Sequence, residues 1–349
     1  MNANLATITG IGSVSPYGPL AGLIPQGAVK LEPITAWKTA GLRRAFLVKA
    51  FRPADVVPGL KTRRLDRLSA WALVASSLAL QDAGIDLSQV DRSRVAVVFG
   101  TGFGSAELTE AFFQSAAING WSGTDPSPFP EGLANAPASH VALLHGLRGP
   151  NITVGSSGFA GESAMIQAAS LLRHGQADVA VVLAGDTLTR AVYEWYEVAG
   201  LLSPACFNAE RLPEGRGFVP SEGLVALVLE PAGRRDVRTY ARFSSGRCAA
   251  GGKAAETIRA MFGGAGPSLT ICAGNGAPCR TSSTIAVARE ISDPSAEIVP
   301  AQAVAAGLAD AGALLHLVLA LRAVPLSGPA LLLGTSGDGG FAALLLELP

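Results

Sequence analysis

NITVGSSGFAGESAMIQAASLLRHG, Asn151 to Gly175, is the stretch on which the fold turns. An apolar segment from Ile152 to Gly155 reads as a strand, small residues make a turn, and residues 159 to 173 repeat apolar positions at helical spacing. Strand, tight turn and helix in that order form the setting in which many α/β enzymes present a nucleophile. Around it, Leu5 to Ile11, Val95 to Gly100, Val179 to Ala184 and Leu224 to Glu230 read as further apolar strands, and Leu68 to Ala83 as a helix. Strands alternating with helices predict an α/β sheet covered on both faces. Two internal echoes, RVAVVFGTGFGSAEL near residue 95 with GPALLLGTSGDGGFAALL near 328, and TITGIG at 7 to 12 with TICAGNG at 270 to 276, are what a duplicated layered fold would leave.

Composition narrows the classes. The 349 residues are 49% hydrophobic and 15% charged, enough for one large core or two fused halves. Lys plus Arg, 27, equals Asp plus Glu, 27, so no global charge draws nucleic acid or an anionic membrane. The short basic runs RRAF and KTRRLDR, at 43 to 46 and 61 to 67, read as solvated faces or partner contacts. The start, MNANLATITGIGSVSPYG, lacks a basic region leading into a long apolar one, so the expected location is the cytoplasm. Apolar runs are too short to span a bilayer, and the longest, Ala311 to Leu326, suits a buried helix. Cys206, Cys248, Cys272 and Cys279 include no CxxC pair and make no zinc pattern with the histidines. GTGFG near residue 100 lacks full G-x-G-x-x-G spacing, so no cofactor is expected. Residues 118 to 138 read as an ordered surface or interface loop, and 244 to 266 as a short helix between glycine hinges.

The turn itself fails as a serine-hydrolase elbow. G-x-S-x-G needs a glycine where Phe159 stands in the Ser157 frame. Ser156 and Ser157 either satisfy backbone groups and cap the following helix, or act as an unorthodox nucleophile. A hydroxyl nucleophile needs a base, and His140, His145, His174 and His316 offer no convincing triad.

Longer motifs resemble the β-ketoacyl synthase family of the thiolase-fold superfamily. ITGIGSVSPYG at 8 to 18 is similar to the family opening, and RLDRLSAWALVASSLALQDAGID at 64 to 86 to its first long helix region. PFPEGLANAPASHVALLHGLRGPNITV at 128 to 154 resembles the segment before the active-site elbow. The likeness continues through NAERLPEGRGFVPSEGLVALVLE at 208 to 230, ICAGNGAP at 271 to 278, GLADAGALLHLVLALRA at 307 to 323 and GTSGDGGFAALLLE at 334 to 347. It implies a thiolase-like duplicated α-β-α-β-α fold, divided as 1–230 and 231–349 within one compact unit.

Departures from the family pattern carry the functional expectation. The elbow cysteine that would hold the acyl chain is matched by Gly158, the first catalytic histidine by Asn275, and the second by Ala305, Ala306 or Gly307, with Ala306 as the central choice. An amide does not titrate near neutral pH as imidazole does. Where the family places phenylalanines around the acyl entrance, this chain has Ser336 and Asp338, which implies a wetter or partner-covered site. Glu222 matches a family glutamate and is expected to be buried, hydrogen-bonded and structural. With catalytic residues absent, the resemblance implies a non-catalytic chain-length factor. Such a subunit pairs with a catalytic ketosynthase and shapes the acyl tunnel, with an acyl carrier protein delivering substrate. Tunnel or interface candidates are Phe159, Phe129, Trp121, Tyr193, Trp195 and Asp338. The alternatives are an atypical serine acyltransferase and a standalone acyl-binding scaffold.

Overall fold

The computed structural model describes residues 6–24, 30–37, 42–63, 65–155, 158–207, 217–249, 254–262, 266–273, 278–292, 296–300, 313–323, 328–335 and 340–349. The principal strands are β1 (Ala6–Ser15), β2 (Val95–Thr101), β3 (Asn151–Gly155), β4 (Val179–Asp186), β5 (Gly223–Glu230), β6 (Ala241–Ala249), β7 (Leu269–Cys272), β8 (Glu297–Pro300), β9 (Gly328–Thr335) and β10 (Phe341–Leu348). The principal helices are α1 (Arg67–Asp82), α2 (Ala106–Asn119), α3 (Ala136–His145), α4 (Ala160–Arg173), α5 (Arg190–Val198), α6 (Ala254–Phe262), α7 (Pro278–Ile291) and α8 (Ala313–Ala323).

Strand residues alternate between two cores, which explains why the runs look continuously apolar. In β4, Val179, Val181 and Leu183 enter one cluster, while Ala180, Val182 and Ala184 enter the other. The first cluster lies under α1 and α3; the second is shared with α4 and α8. Strands of the second half repeat this, with Leu332 and Leu344 facing α4 and α8 and Leu331 and Phe341 facing α6 and α7. The result is five alternating layers with α4 and α8 in the middle, as the thiolase-like expectation required.

Duplication is written in the strand order. From its outer edge the first half runs β3-β2-β4-β5-β1, and the second runs β8-β7-β9-β10-β6. In each half's own chain order both read 3-2-4-5-1. Strand directions match too: the second strand is parallel to the third and fourth, and the fifth is antiparallel to the fourth and first. The halves join where β1 meets β6 antiparallel, with Ala6 opposite Phe243 and Ile8 opposite Ala241. The sequence echoes, however, fall on non-equivalent strands: β2 with β9, and β1 with β7. They reflect a common glycine-ended strand composition, whereas the duplication itself resides in the topology.

Close approaches set the helix positions. A Cβ at Gly10 would lie 2.3 Å from the Ala79 carbonyl oxygen, and one at Gly12 2.1 Å from that of Ala75, so α1 can cross β1 only over glycines. Helix α1 begins at Asp66, whose carboxylate accepts from the Ser69 amide at 2.8 Å. The apolar run around α8 is a buried helix, with Leu314 to Ala320 all in the interior. No helix among the described residues is long and apolar enough to cross a membrane.

Candidate functional site: the elbow and an aromatic face

At the end of β3 the chain turns into α4 through Gly158, whose φ of +104° lies where L side chains rarely stand. The turn thus passes through a glycine at positive φ and carries no side chain there. Phe159 is the N-cap residue of α4 and makes no side-chain capping bond. Ser156 and Ser157 lie outside the described residues. Gly100 on β2 seats the turn: a Cβ there would come within 2.1 Å of the Ala160 carbonyl oxygen.

Three segments converge on the elbow. A Cβ at Gly334, near the end of β9, would lie 3.1 Å from Glu162 Oε1, 3.5 Å from Phe159 Cε1 and 3.6 Å from the Ala273 carbonyl oxygen. Ala273 directly follows β7 and leads toward Asn275; Gly334 leads toward Asp338. Asn275, Ala306 and Asp338 themselves lie outside the described residues. Glu162 is buried in the first turn of α4. Beside it the thiol of the exposed Cys248 lies 3.5 Å from Ser163 Oγ.

None of the described histidine contacts builds a triad. His140 pairs with Glu131 at 2.5 Å, while His145 meets the hydroxyls of Ser76 and Ser77 at 3.2 and 3.4 Å. His174 folds back onto Ser170. His316 is buried within α8 with both ring nitrogens lacking a hydrogen-bond partner, and burial lowers its pKa from 6.5 to about 4. Glu222 is structural, as expected: it accepts from the Val48 and Leu188 amides and from Arg67 Nη1 at 2.9 and 3.0 Å. Burial raises its pKa against the opposing pull of Arg67. Arg67 also holds Glu107 at 2.5 Å, and Arg43 holds Glu197 at 2.9 Å, so parts of both short basic runs serve as internal braces.

The loop from 118 to 138 carries short 3₁₀ turns, Trp121–Gly123 and Phe129–Gly132, packed beside α2. Here Trp121 and Phe129 join Phe112 and Phe113 in one aromatic cluster, with ring centroids 5.8 to 6.4 Å apart. Much of it is bare: Trp121 is 70% exposed, Phe113 57% and Phe129 55%. Thr109 Oγ1 donates to the Gly132 carbonyl, and the Glu131 to His140 pair ties the loop to α3. Phe113 continues into a groove of about 730 Å³ between α2 and α5, whose walls include Phe103, Ala117 and Val192. Tyr193 and Trp195 do not share this cluster's environment. Tyr193 is fully buried, edge-on to Trp37 at 5.6 Å, whereas Trp195 is 55% exposed on α5. Phe112 and Phe113 were not singled out from sequence; the adjacent pair in EAFFQ was the signal available.

Residues 24–234 match the family described as "Beta-ketoacyl synthase, N-terminal domain". This chain belongs to the β-ketoacyl synthase family. It is 30% identical over 237 residues to nodulation protein E of Rhizobium leguminosarum bv. trifolii, a match covering 64% of this chain and 57% of that protein. It is 28% identical over 190 residues to 3-oxoacyl-[acyl-carrier-protein] synthase 2 of Vibrio cholerae serotype O1, covering 52% of this chain and 45% of that one. The chain thus spans about half the length of these two curated relatives.

Fold similarity extends further than sequence similarity. A β-ketoacyl synthase from Burkholderia phymatum STM815 superposes with a TM-score of 0.79 at 17% identity, covering 99% of both chains. The structure described as the ishigamide ketosynthase/chain length factor gives 0.72 at 20% identity, covering 98% of this chain and 99% of that one. One described as a type II PKS acyl-carrier protein in complex with its ketosynthase bound to the hexaketide gives 0.77 at 19%, covering 99% of both. Within this family fold, the present member offers Gly158 and Phe159 at its elbow.

Proposed function

We propose that this protein is a non-catalytic ketosynthase-like subunit of the chain-length-factor kind. It pairs with a catalytic ketosynthase in the cytoplasm and shapes the tunnel in which an acyl or polyketide chain grows on an acyl carrier protein. The observation that carries the proposal is the glycine at the presenting position: Gly158 has no atom on which a thioester can form. Replacement of the two family histidines by Asn275 and Ala306 supports the same reading. The halves, divided at residue 230, would then act together as a scaffold.

Pairing is supported by two surfaces. The bare aromatic cluster is the kind of patch that marks a protein contact. Strand β3 lies at the edge of the sheet, with β2 as its partner among the described residues, and thus offers a ladder to a second subunit. Phe159, Trp121, Phe129 and Trp195, with Asp338 and the buried Tyr193, are our candidates for tunnel or interface positions.

The test is to express the chain with a ketosynthase that retains its cysteine, copurify the two and assay elongation from carrier-bound substrates. Stable association and an altered product distribution when this chain is omitted are expected. Failure to associate, with unchanged products, would reject the reading. Incubation of this chain alone with an acyl-carrier thioester, followed by intact-mass analysis, separates it from a serine acyltransferase, which alone would gain an acyl mass at Ser156 or Ser157.

A further inference from the structure

We propose that a cleft at the seam between the two halves binds a phosphate monoester. The cleft, of about 340 Å³, opens beside the join of β1 and β6, and the segment that follows β5 forms its wall. Its floor is set by strand register: Thr7 of β1 lies opposite Glu230 of β5 on one side and opposite Arg242 of β6 on the other. Directly opposed residues share a face of the sheet, so these three side chains stand in one row. Arg234, Arg235, Asp236 and Thr239 line the wall. Glu230 stands beside the start of β4, whereas the elbow lies at the other end, where β2 and β3 finish. A ligand here leaves the elbow untouched.

The arginines differ in what they already engage. Arg235 forks onto the Glu230 carboxylate at 2.5 and 2.8 Å and reaches the Ala83 carbonyl at 2.9 Å. Glu230 also accepts from Thr9 at 2.8 Å, so its charge is matched within the wall. Arg234 donates to the neutral Asp178 carbonyl at 2.5 Å and stands 3.8 Å from Glu230. Arg242, by contrast, is exposed and makes no side-chain hydrogen bond or ion pair among the described residues, although Glu347 lies opposite it on β10. The Thr7 and Thr239 hydroxyls, both facing the cleft, are likewise unengaged among the described residues. Three guanidinium groups therefore meet two carboxylates, Glu230 and Asp236, and the first is already paired. A tetrahedral dianion fits this set, with two oxygens for the Arg242 fork and further acceptors for the hydroxyls. A second cleft, of about 400 Å³, continues past Thr239 and Arg242 along Gly328 and Pro329. Glu347 lines it and disfavours a second anion, so it suits the uncharged organic part of an ester. Because Thr7 belongs to the first half and Arg242 to the second, the bound group would tie the halves together.

Calorimetric titration of the full chain with glycerol 3-phosphate, at neutral pH and fixed ionic strength, tests the site. One equivalent should bind, and the thermal midpoint should rise with ligand concentration. Arg242→Gln should weaken binding at least about tenfold and Thr239→Val about threefold. Arg52→Gln, which alters an exposed arginine outside the cleft, should change nothing. Circular dichroism identifies folded variants, and Arg242→Lys, which keeps the charge but not the fork, replaces Arg242→Gln if the latter does not fold. Absence of binding by wild type, or equal affinity in a folded Arg242 variant, would overturn the site. The ester should also bind more tightly than inorganic phosphate; equal or weaker binding would reject the monoester as its ligand. Because no partner is present, each outcome is independent of whether the chain pairs with a ketosynthase.

Discussion

At residue 158 the backbone has a φ of +104°, a region that L side chains rarely adopt. Restoring the family's nucleophile by Gly158→Cys should therefore lower stability by about 1–2 kcal/mol, readable as a shift in the urea midpoint. If Asn275 and Ala306 stand at the histidine positions, as proposed, the same variant should yield no condensation product with carrier-bound substrates. A variant as stable as wild type, or one that condenses, would count against this account. That a glycine stands in the turn between β3 and α4 is legible in the sequence, because an apolar run and a helical repeat flank it. Its positive φ was not legible, since glycine is permitted on both sides of the map and only the traced turn shows which side is used.

Among the elements, β2 and α4 meet so closely that Gly100 has almost no freedom to change. Gly100→Ala should destabilise by about 1–3 kcal/mol, through displacement of the Ala160 carbonyl and the turn it anchors, and thermal unfolding would reveal it. Helix α8 carries a different liability. His316 has a folded pKa of about 4 against an ordinary 6.5, so the unfolded chain binds the proton more readily. Its neutral form supports the fold fully above 6.5, and that support is lost as pH falls toward 4. By pH 4.5 the loss is about 2 kcal/mol from this histidine. His316→Leu should flatten the decline in midpoint between pH 7 and 4.5; an equally steep decline would exclude His316 as its source.

The strands were readable at this scale because burial on both faces leaves unbroken apolar runs such as Val179 to Ala184. The apparent repeats misled because local composition does not encode strand order. Topology depends on which partners the helices bring together, as α4 does between β2, β4, β6 and β10.

At the scale of the whole molecule, the aromatic face is a broad exposed apolar patch among the described residues. Its members lie in a short span from Phe112 to Phe129, yet Phe112 and Phe113 hid inside an ordinary helical pattern, and only packing placed them beside Trp121. If the proposed pairing uses this face, the double substitution Trp121→Ser and Phe129→Ser should leave the thermal midpoint nearly unchanged. It should weaken association with the ketosynthase at least about thirtyfold, or about 2 kcal/mol. Undiminished binding would place the contact elsewhere.

Strand β3, Asn-Ile-Thr-Val-Gly, sits at the rim of the sheet without a lysine, glutamate or proline. Chains that live alone usually guard such a rim with charge or a bulge. If the proposed partner covers this strand, which pairs only with β2 among the described residues, a requirement on supply follows: this protein should accumulate in step with that partner, and excess copies are the ones that self-associate or are cleared.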